Sequence, residues 1–484
     1  MLMSRAYRSG RTAWWQVLPT AHLALATATV VLGIWLQRPM PVVGVVCGAF
    51  VVHRRPQLAV LCAVVGLLGV QLSNLSWARA SPDRLGPFAG VACLTTDPAP
   101  RGGAVVAVFE IQGQRFETWA RGSPRRRLHN HLAGECARVQ GTRRALTGVG
   151  RRRAAVRHVV GGFDIAVVGD WVQGSPLDRA SNRVLRLFGL GASRLRAPDD
   201  ALFAGLVIGD DRNEPPGMVE QFRASGLSHL TAVSGQNVGF FLAAASPLLR
   251  RLRPAPRWLL TLALIAWFVA LTRFEPSVLR AGVMAGIAAT GYLTGREHPP
   301  TRVLVVAVGV LVLIDPLLVW SVGFWLSVGA TAGVALLGTA LVAYLPGPRW
   351  IAVPAAVTLG AQAGVAPVSL LVFGTMPLVS VPANLLAVPV AGFVMLYGLP
   401  AGLVAGSAAH LLGGRLAELV QMPSAVGTRW VATVAGLGAR LSPGAVWTVV
   451  GWSVLVLVIL ARLVAGRRRD YAKVVHHGAA SHHR

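Results

Sequence analysis

The stretch EQFRASGLSHLTAVSGQNVGFF, residues 220–241, opens a long series of apolar segments and yet holds His229, Ser234, Gln236 and Asn237. Lipid offers such groups no hydrogen-bond partner, so a segment entering a bilayer here must satisfy them against protein or water. Polar atoms kept at that depth mark a path through the membrane. Gly226, Gly235 and Gly239 allow close helix approach or a local break. The reading is a helix interrupted at Ser234-Gly235-Gln236-Asn237, with Gly226, Ser228 and His229 on its approach.

Composition sets the surroundings of that stretch. Of 484 residues, 54% are hydrophobic and only 13% charged, which excludes an ordinary soluble domain and indicates an integral membrane protein. The net charge is +27 and nearly all of it is arginine, Lys473 being the sole lysine. Such an excess favours anionic partners, lipid headgroups or nucleic acid. Cys47 and Cys62 lie in apolar runs, Cys93 and Cys136 in a polar insertion, and no CxxC or His/Cys cluster has metal-site spacing. No cofactor or catalytic constellation is expected: no Walker or Rossmann glycine loop appears, and Ser228, His229 and Ser234 complete no GxSxG elbow.

Toward the N-terminus, apolar runs at 17–36, 40–52 and 57–75 make residues 1–77 a membrane segment. The clusters Arg5, Arg8, Arg11 and His53-Arg54-Arg55 belong on the cytoplasmic side by the positive-inside rule. Residues 78–175 then fall outside the cell membrane. Their β-branched, alternating runs 104–112, 115–120 and 163–172 imply a small β-rich barrel or sandwich. Residues 101–157 hold thirteen arginines against three carboxylates, with Phe109, Phe116 and Trp119 interleaved. Arginines for phosphates and rings for bases are what a single-strand binder needs, which singles out Arg115, Arg121, Arg125, Arg126, Arg127, Arg143, Arg144, Phe116 and Trp119. In an oxidising compartment Cys93 and Cys136 are disulfide candidates. Residues 176–229 read as amphipathic interfacial helices, with leucines, Val184 and Phe188 opposite arginines over 177–196.

Residues 230–466 hold the remaining spans, for eleven or twelve in all, and 467–484 form a basic tail. Loops at 250–253, 296–302 and 347–349 and the cluster Arg467-Arg468-Arg469 carry the positive charge, which places both termini in the cytoplasm. Arg280 lies within a span, where a charge costs roughly 2.5–3.5 kcal/mol and must face a partner or a wet cavity. Asn384 stands between Pro382 and Pro389, the pattern of an interrupted helix lining a transport path.

SGLSHLTAVSGQNVG (225–239), FEPSVLRAGVMAG (274–286), DPLLVWSVGFWLSVGATAG (315–333), AQAGVAPVSLLVFG (361–374) and VSVPANLLAVPVAG (379–392) resemble, in order, the ComEC family of competence channels. Asn237 stands where many members carry a histidine, which removes a titratable group from the path. The resemblance implies an OB-like external domain and passage of single-stranded DNA across the cytoplasmic membrane. It also implies an external DNA receptor with pilus machinery, and a helicase or single-strand-binding protein inside. The metallo-β-lactamase-like domain of larger members needs an HxHxDH cluster that this sequence lacks, so nuclease activity on the second strand is expected of a separate protein. The alternative is a secondary transporter or exporter of a small or lipid-like solute, which would use the same interrupted helices.

Overall fold

The computed structural model describes residues 19–53, 56–232, 234–345, 347–411, 414–444, 446–455 and 457–458. The basic clusters at 5–11, 54–55 and 467–469, and the tail 467–484, lie outside these residues. Three helices open the described chain: α1 (Thr20–Leu36), α2 (Pro39–His53) and α3 (Pro56–Arg79). The β-rich region follows, with β1 (Gly86–Leu94), β2 (Ala99–Arg101), β3 (Ala104–Ile111), β4 (Gln114–Ala120), α4 (Gly122–Leu128), β5 (Cys136–Ala145), α5 (Gly148–Ala155) and β6 (Val159–Val172).

The pairings close this sheet on itself. β1 runs antiparallel to both β3 and β5, β3 to β4, and β5 to β6, while β4 and β6 close the ring in parallel. Side chains alternate as a barrel demands: along β4, Phe116 and Thr118 point in while Arg115 and Trp119 point out. Leu94, Phe109, Ile111, Phe116, Leu128 and Phe163 fill the interior, each contributing about 1.5–3 kcal/mol by leaving water. Cys93 and Cys136 are register partners on β1 and β5 and are joined as a disulfide. The sequence marked the inner parts of β3, β4 and β6. It gave no sign of β5, whose outward residues Arg138 and Gln140 hide the inward Ala137 and Val139.

The rest is helical: α6 (Pro176–Ala192), α7 (Asp199–Ile208), α8 (Pro216–Ala224), α9 (Ser228–Thr231), α10 (Gly235–Leu249), α11 (Pro254–Leu271), α12 (Pro276–Leu293) and α13 (Pro300–Ile314). A 3-10 turn (Pro316–Trp320) leads to α14 (Val322–Gly333), which a π-helical turn (Val334–Gly338) joins to α15 (Thr339–Val342). Last come α16 (Arg349–Phe373), α17 (Ser380–Leu411), α18 (Gly414–Leu441) and α19 (Val446–Leu455). Among the described residues, five helical stretches are long and apolar enough to cross a bilayer: α3, α11, Val322–Val342, α16 and the Ser380–Ser407 part of α17. Of the expected eleven or twelve spans, five meet that length and composition among the described residues. Several of the other apolar segments fold as helices of 10–17 residues.

These helices are apolar on the outside. Trp350, Leu371 and Phe373 of α16 and Ile314 of α13 are exposed, the reverse of a soluble core. Where helices touch, small residues let backbones meet: a Cβ on Gly333 would stand 2.0 Å from the Gly360 carbonyl oxygen, and one on Gly364 equally close to that of Gly329. The packing of α6 follows the same rule, since a Cβ on Gly191 would lie 2.0 Å from the Gly402 oxygen in α17.

Two expectations change. Asn384 does not sit in a broken helix: α17 is continuous from Ser380, because Pro382 falls in the first turn, where no backbone donor is lost, and the helix runs on through Pro389 and Pro400. Residues 414–441, not expected as a helix, form α18. Its buried face, Ala417, Gln421, Ser424, Thr428, Val431 and Ala435, is too polar to read as a span. It packs along α17, with Tyr397 and Trp430 each donating to a carbonyl of the other helix at 2.8 and 3.0 Å.

Candidate functional site

On the barrel, the indole of Trp119 is half exposed on β4, and its Nε1 donates to Glu117 at 2.9 Å. The other oxygen of Glu117 accepts from Arg157, at the end of the β5–β6 connection. That connection contains α5, with Arg151, Arg152 and Arg153 all exposed. Arg115 and Arg121 are exposed at the two ends of β4. Trp119 thus shares Glu117 with Arg157, and its exposed ring offers stacking on a strand that also carries exposed arginines.

The remaining barrel candidates are distributed otherwise. Phe116 is a correction: it is 1% exposed inside the barrel and presents no face to a ligand, since the strand's alternation turns it inward. Arg125 donates to the Gly103 carbonyl at 2.9 Å and Arg127 to that of Val168, so both tie α4 to the barrel; Arg126 between them is exposed. Arg143 donates to Gln112 at 3.1 Å and covers Phe88, and Arg144 pairs with Asp164 at 3.0 Å. Arg151–Arg153 and Arg157 were not among the expected contacts. Their signal was the same basic run; of the four, Arg157 is brought to Trp119 through their shared Glu117, while Arg151 donates to Ser81 at 2.9 Å.

Among the described residues three side-chain contacts of salt-bridge type join the barrel to the helices, one of them between Arg186 of α6 and Glu135, just before β5. Arg273, at φ +57° between α11 and α12, donates to both oxygens of Asp97 at 3.0 and 3.2 Å and to Asn182 of α6 at 2.7 Å. Asp97 also accepts from the Ala133 backbone at 2.7 Å. His158 meets Asp315 at 2.9 Å, just before the 3-10 turn. Behind the latch lies an acidic loop. Burial, with Asp211 and Asp210 nearby, pushes the Glu214 carboxyl up to about 7, and its Oε1 is buried without a hydrogen-bond partner. Burial likewise raises Asp211, helped by Asp210, and raises Glu275, helped by Asp211.

Among the helices, the expected path residues form two groups. In the first, the chain breaks between α9 and α10, so the interruption falls just before Gly235. Ser234 donates to the side chain of Asn237 at 2.9 Å, and buried Asn237 donates to the Leu206 carbonyl at 3.3 Å. Arg280 stands against this turn, 5% exposed, donating from Nε to Ser327 of α14 at 2.9 Å. Ser228, His229 and Gln236 are exposed beside it. In the second group, Gly226 (φ +73°) abuts Ser380, whose hydroxyl accepts from Gln362 at 3.1 Å and whose carbonyl accepts from Asn384 at 2.7 Å. Pro382 holds the first turn of α17 beside it, and Pro389 lies farther along. Ser327 and Ser380 were not singled out, since a lone serine in an apolar run has no distinguishing pattern.

Apolar helices long enough to cross a bilayer, folded around a buried arginine and joined to a basic barrel, define a membrane protein. The family model described as Competence protein matches residues 206–467, more than half of the chain, and the chain belongs to that family. The chain is 28% identical over 272 residues to Uncharacterized protein YcaI of Escherichia coli K12, covering 52% of this chain and 35% of that protein. It is 29% identical over 213 residues to ComE operon protein 3 of Bacillus subtilis 168, covering 43% of this chain and 27% of that protein. The matched part thus spans about a third of the length of these curated relatives. No solved structure matches the chain.

Proposed function

We propose that this chain passes single-stranded DNA across the cytoplasmic membrane, taking the strand on the barrel and threading it along the polar residues between the helices. Family membership supports a role in DNA uptake. The observation that supports the reading further is the barrel, whose strand order and parallel β4–β6 closure suit an OB-like reading in which β3–β4 would be the binding face and the β5–β6 connection would flank it. Trp119 and Arg151–Arg153 occupy those two places.

In this reading the barrel and its disulfide stand outside the cell, the chain crosses the membrane several times, and both termini are cytoplasmic. Bases stack on Trp119 while arginines displace counterions from the phosphates. The Arg273–Asp97 latch holds that face at the helical mouth. From there Ser228, His229, Ser234, Asn237, Arg280 and Asn384 supply the polar lining, and Gly226 and Gly235 leave room at its narrow points. No bond is made or broken by the chain. An external receptor with pilus machinery delivers the DNA, a separate nuclease removes the second strand, and a helicase or single-strand-binding protein draws the first one in.

The test is binding of a fluorescent oligothymidylate to the full chain in nanodiscs, titrated over salt. Binding that weakens steeply with salt and falls about five- to hundredfold in Trp119→Ala fits the loss of about 1–3 kcal/mol of stacking. Binding indifferent to both salt and Trp119 overturns the reading.

A further inference from the structure

Arg280 is a buried cation with no acid beside it. Its Nε donates to Ser327 and its Nη1 lies 3.0 Å from the Met284 sulfur, and among the described residues no carboxylate pairs with it. A charge buried this far is kept only where something opposes it. The remaining nitrogen, Nη2, points at the start of α10: a Cβ on Gly235 would lie 2.9 Å from it and equally close to the Ala281 Cβ.

The start of α10 is itself electropositive. A fifteen-residue helix presents unpaired N–H groups and the positive end of its dipole there. Ser234 occupies the N-cap position but makes no capping bond, and its hydroxyl donates to Asn237 Oδ1. The Asn237 N–H is taken by the Ser234 carbonyl at 3.1 Å, which leaves the N–H groups of Gly235 and Gln236 without a side-chain cap. Gly235 is partly exposed and Gln236 exposed, so this end is open. Two positive features thus converge where an acid would ordinarily separate them, and it is the missing side chain of Gly235 that lets the guanidinium come so close to the helix start.

We propose that Arg280 Nη2 and the N-terminus of α10 form one binding station for a phosphate group inside the membrane path. The inference rests on the DNA-path reading and deepens it: the ligand is a backbone phosphodiester, held by one guanidinium arm and two backbone N–H groups, with no contact to a base. Such a station is blind to sequence, as passage of any strand demands, and its single charge lets each phosphate leave for the next. Ser327 positions the guanidinium without touching the phosphate.

The test uses the full chain in nanodiscs of zwitterionic lipid, with inorganic phosphate as probe and its phosphorus NMR line broadening as readout. Wild-type chain and an Arg251→Ala chain, altered at an exposed loop arginine, broaden the line alike, whereas Arg280→Gln and Gln236→Glu weaken phosphate binding at least fivefold. Gln236→Glu alters an exposed first-turn residue and favours the helix while repelling the anion, so it remains informative if Arg280→Gln folds poorly. Wild-type binding by Gln236→Glu, or by a folded Arg280→Gln, overturns the station. Displacement of phosphate by oligothymidylate identifies DNA as the source of the phosphodiester. Displacement only by adding phosphatidylglycerol overturns that assignment in favour of a lipid headgroup. A chain that binds phosphate at Arg280 but no oligothymidylate keeps the station and refutes the DNA path, so the two failures are told apart.

Discussion

The barrel and the helical region solve opposite problems with the same residue types. In the barrel the rings of Phe109, Phe116 and Phe163 are inside and the arginines outside, as water requires. In the helical region Trp350, Leu371 and Phe373 face out, while Arg280, Asn237 and Asn384 are buried. Each region is the other turned inside out, and the difference shows where each expects its solvent. In the proposed function, an anionic strand would find its charge on the surface of the first region and in the interior of the second.

That contrast is sharpest at neighbouring residues of β4. Phe116→Ala is expected to cost the barrel about 3–5 kcal/mol by opening a cavity, read from denaturant unfolding, and Trp119→Ala within about 0.5 kcal/mol while weakening DNA binding. Equal stability losses would break the inside–outside assignment. Next in size, replacing Cys93 and Cys136 by alanine removes a link across 43 residues and lowers barrel stability by about 2–4 kcal/mol, seen as earlier proteolysis of residues 86–172 with the helices spared. Asp97→Ala strips Arg273 of its carboxylate and should loosen the barrel from the helices by about 1.5–3 kcal/mol, read as faster hydrogen exchange around residue 133 and in the loop at 273.

The smallest effect concerns pH. Glu214 holds its proton up to about 7 in the folded chain, against 4.5 when free, so between these values the folded state binds a proton that the unfolded state has lost. Stability from this group therefore falls as pH rises from about 4.5 to 7 and levels off above. Melting of Glu214→Gln should be flatter over that window than melting of the wild type.

Legibility in the sequence followed the same inside–outside line. Long apolar runs announced α3, α11, α16 and α17, and alternation announced β3, β4 and much of β6, because in each the buried face is chemically distinct. It failed where the two faces resemble one another. The buried side of α18 includes Gln421, Ser424 and Thr428, so no apolar stripe marks it. Phe116 and Trp119 look alike as aromatics in a basic run, and only strand register separates core from surface. The polar residues from 226 to 237, Arg280 and Asn384 stood out because each is anomalous in an apolar setting. Their division into two groups around Arg280 and Ser380 depends on helix packing, which no local pattern encodes.

The most direct test is internalisation of labelled DNA in the source cell under competence-inducing conditions, comparing the intact gene, its deletion, Arg280→Met and Asn384→Ala at matched membrane abundance. The account predicts that deletion abolishes cytoplasmic label while surface label persists. It also predicts that Arg280→Met, which keeps the bulk and removes the charge, lowers internalisation more than tenfold without reducing surface binding. Cytoplasmic label at wild-type levels in the deletion or in Arg280→Met would contradict it.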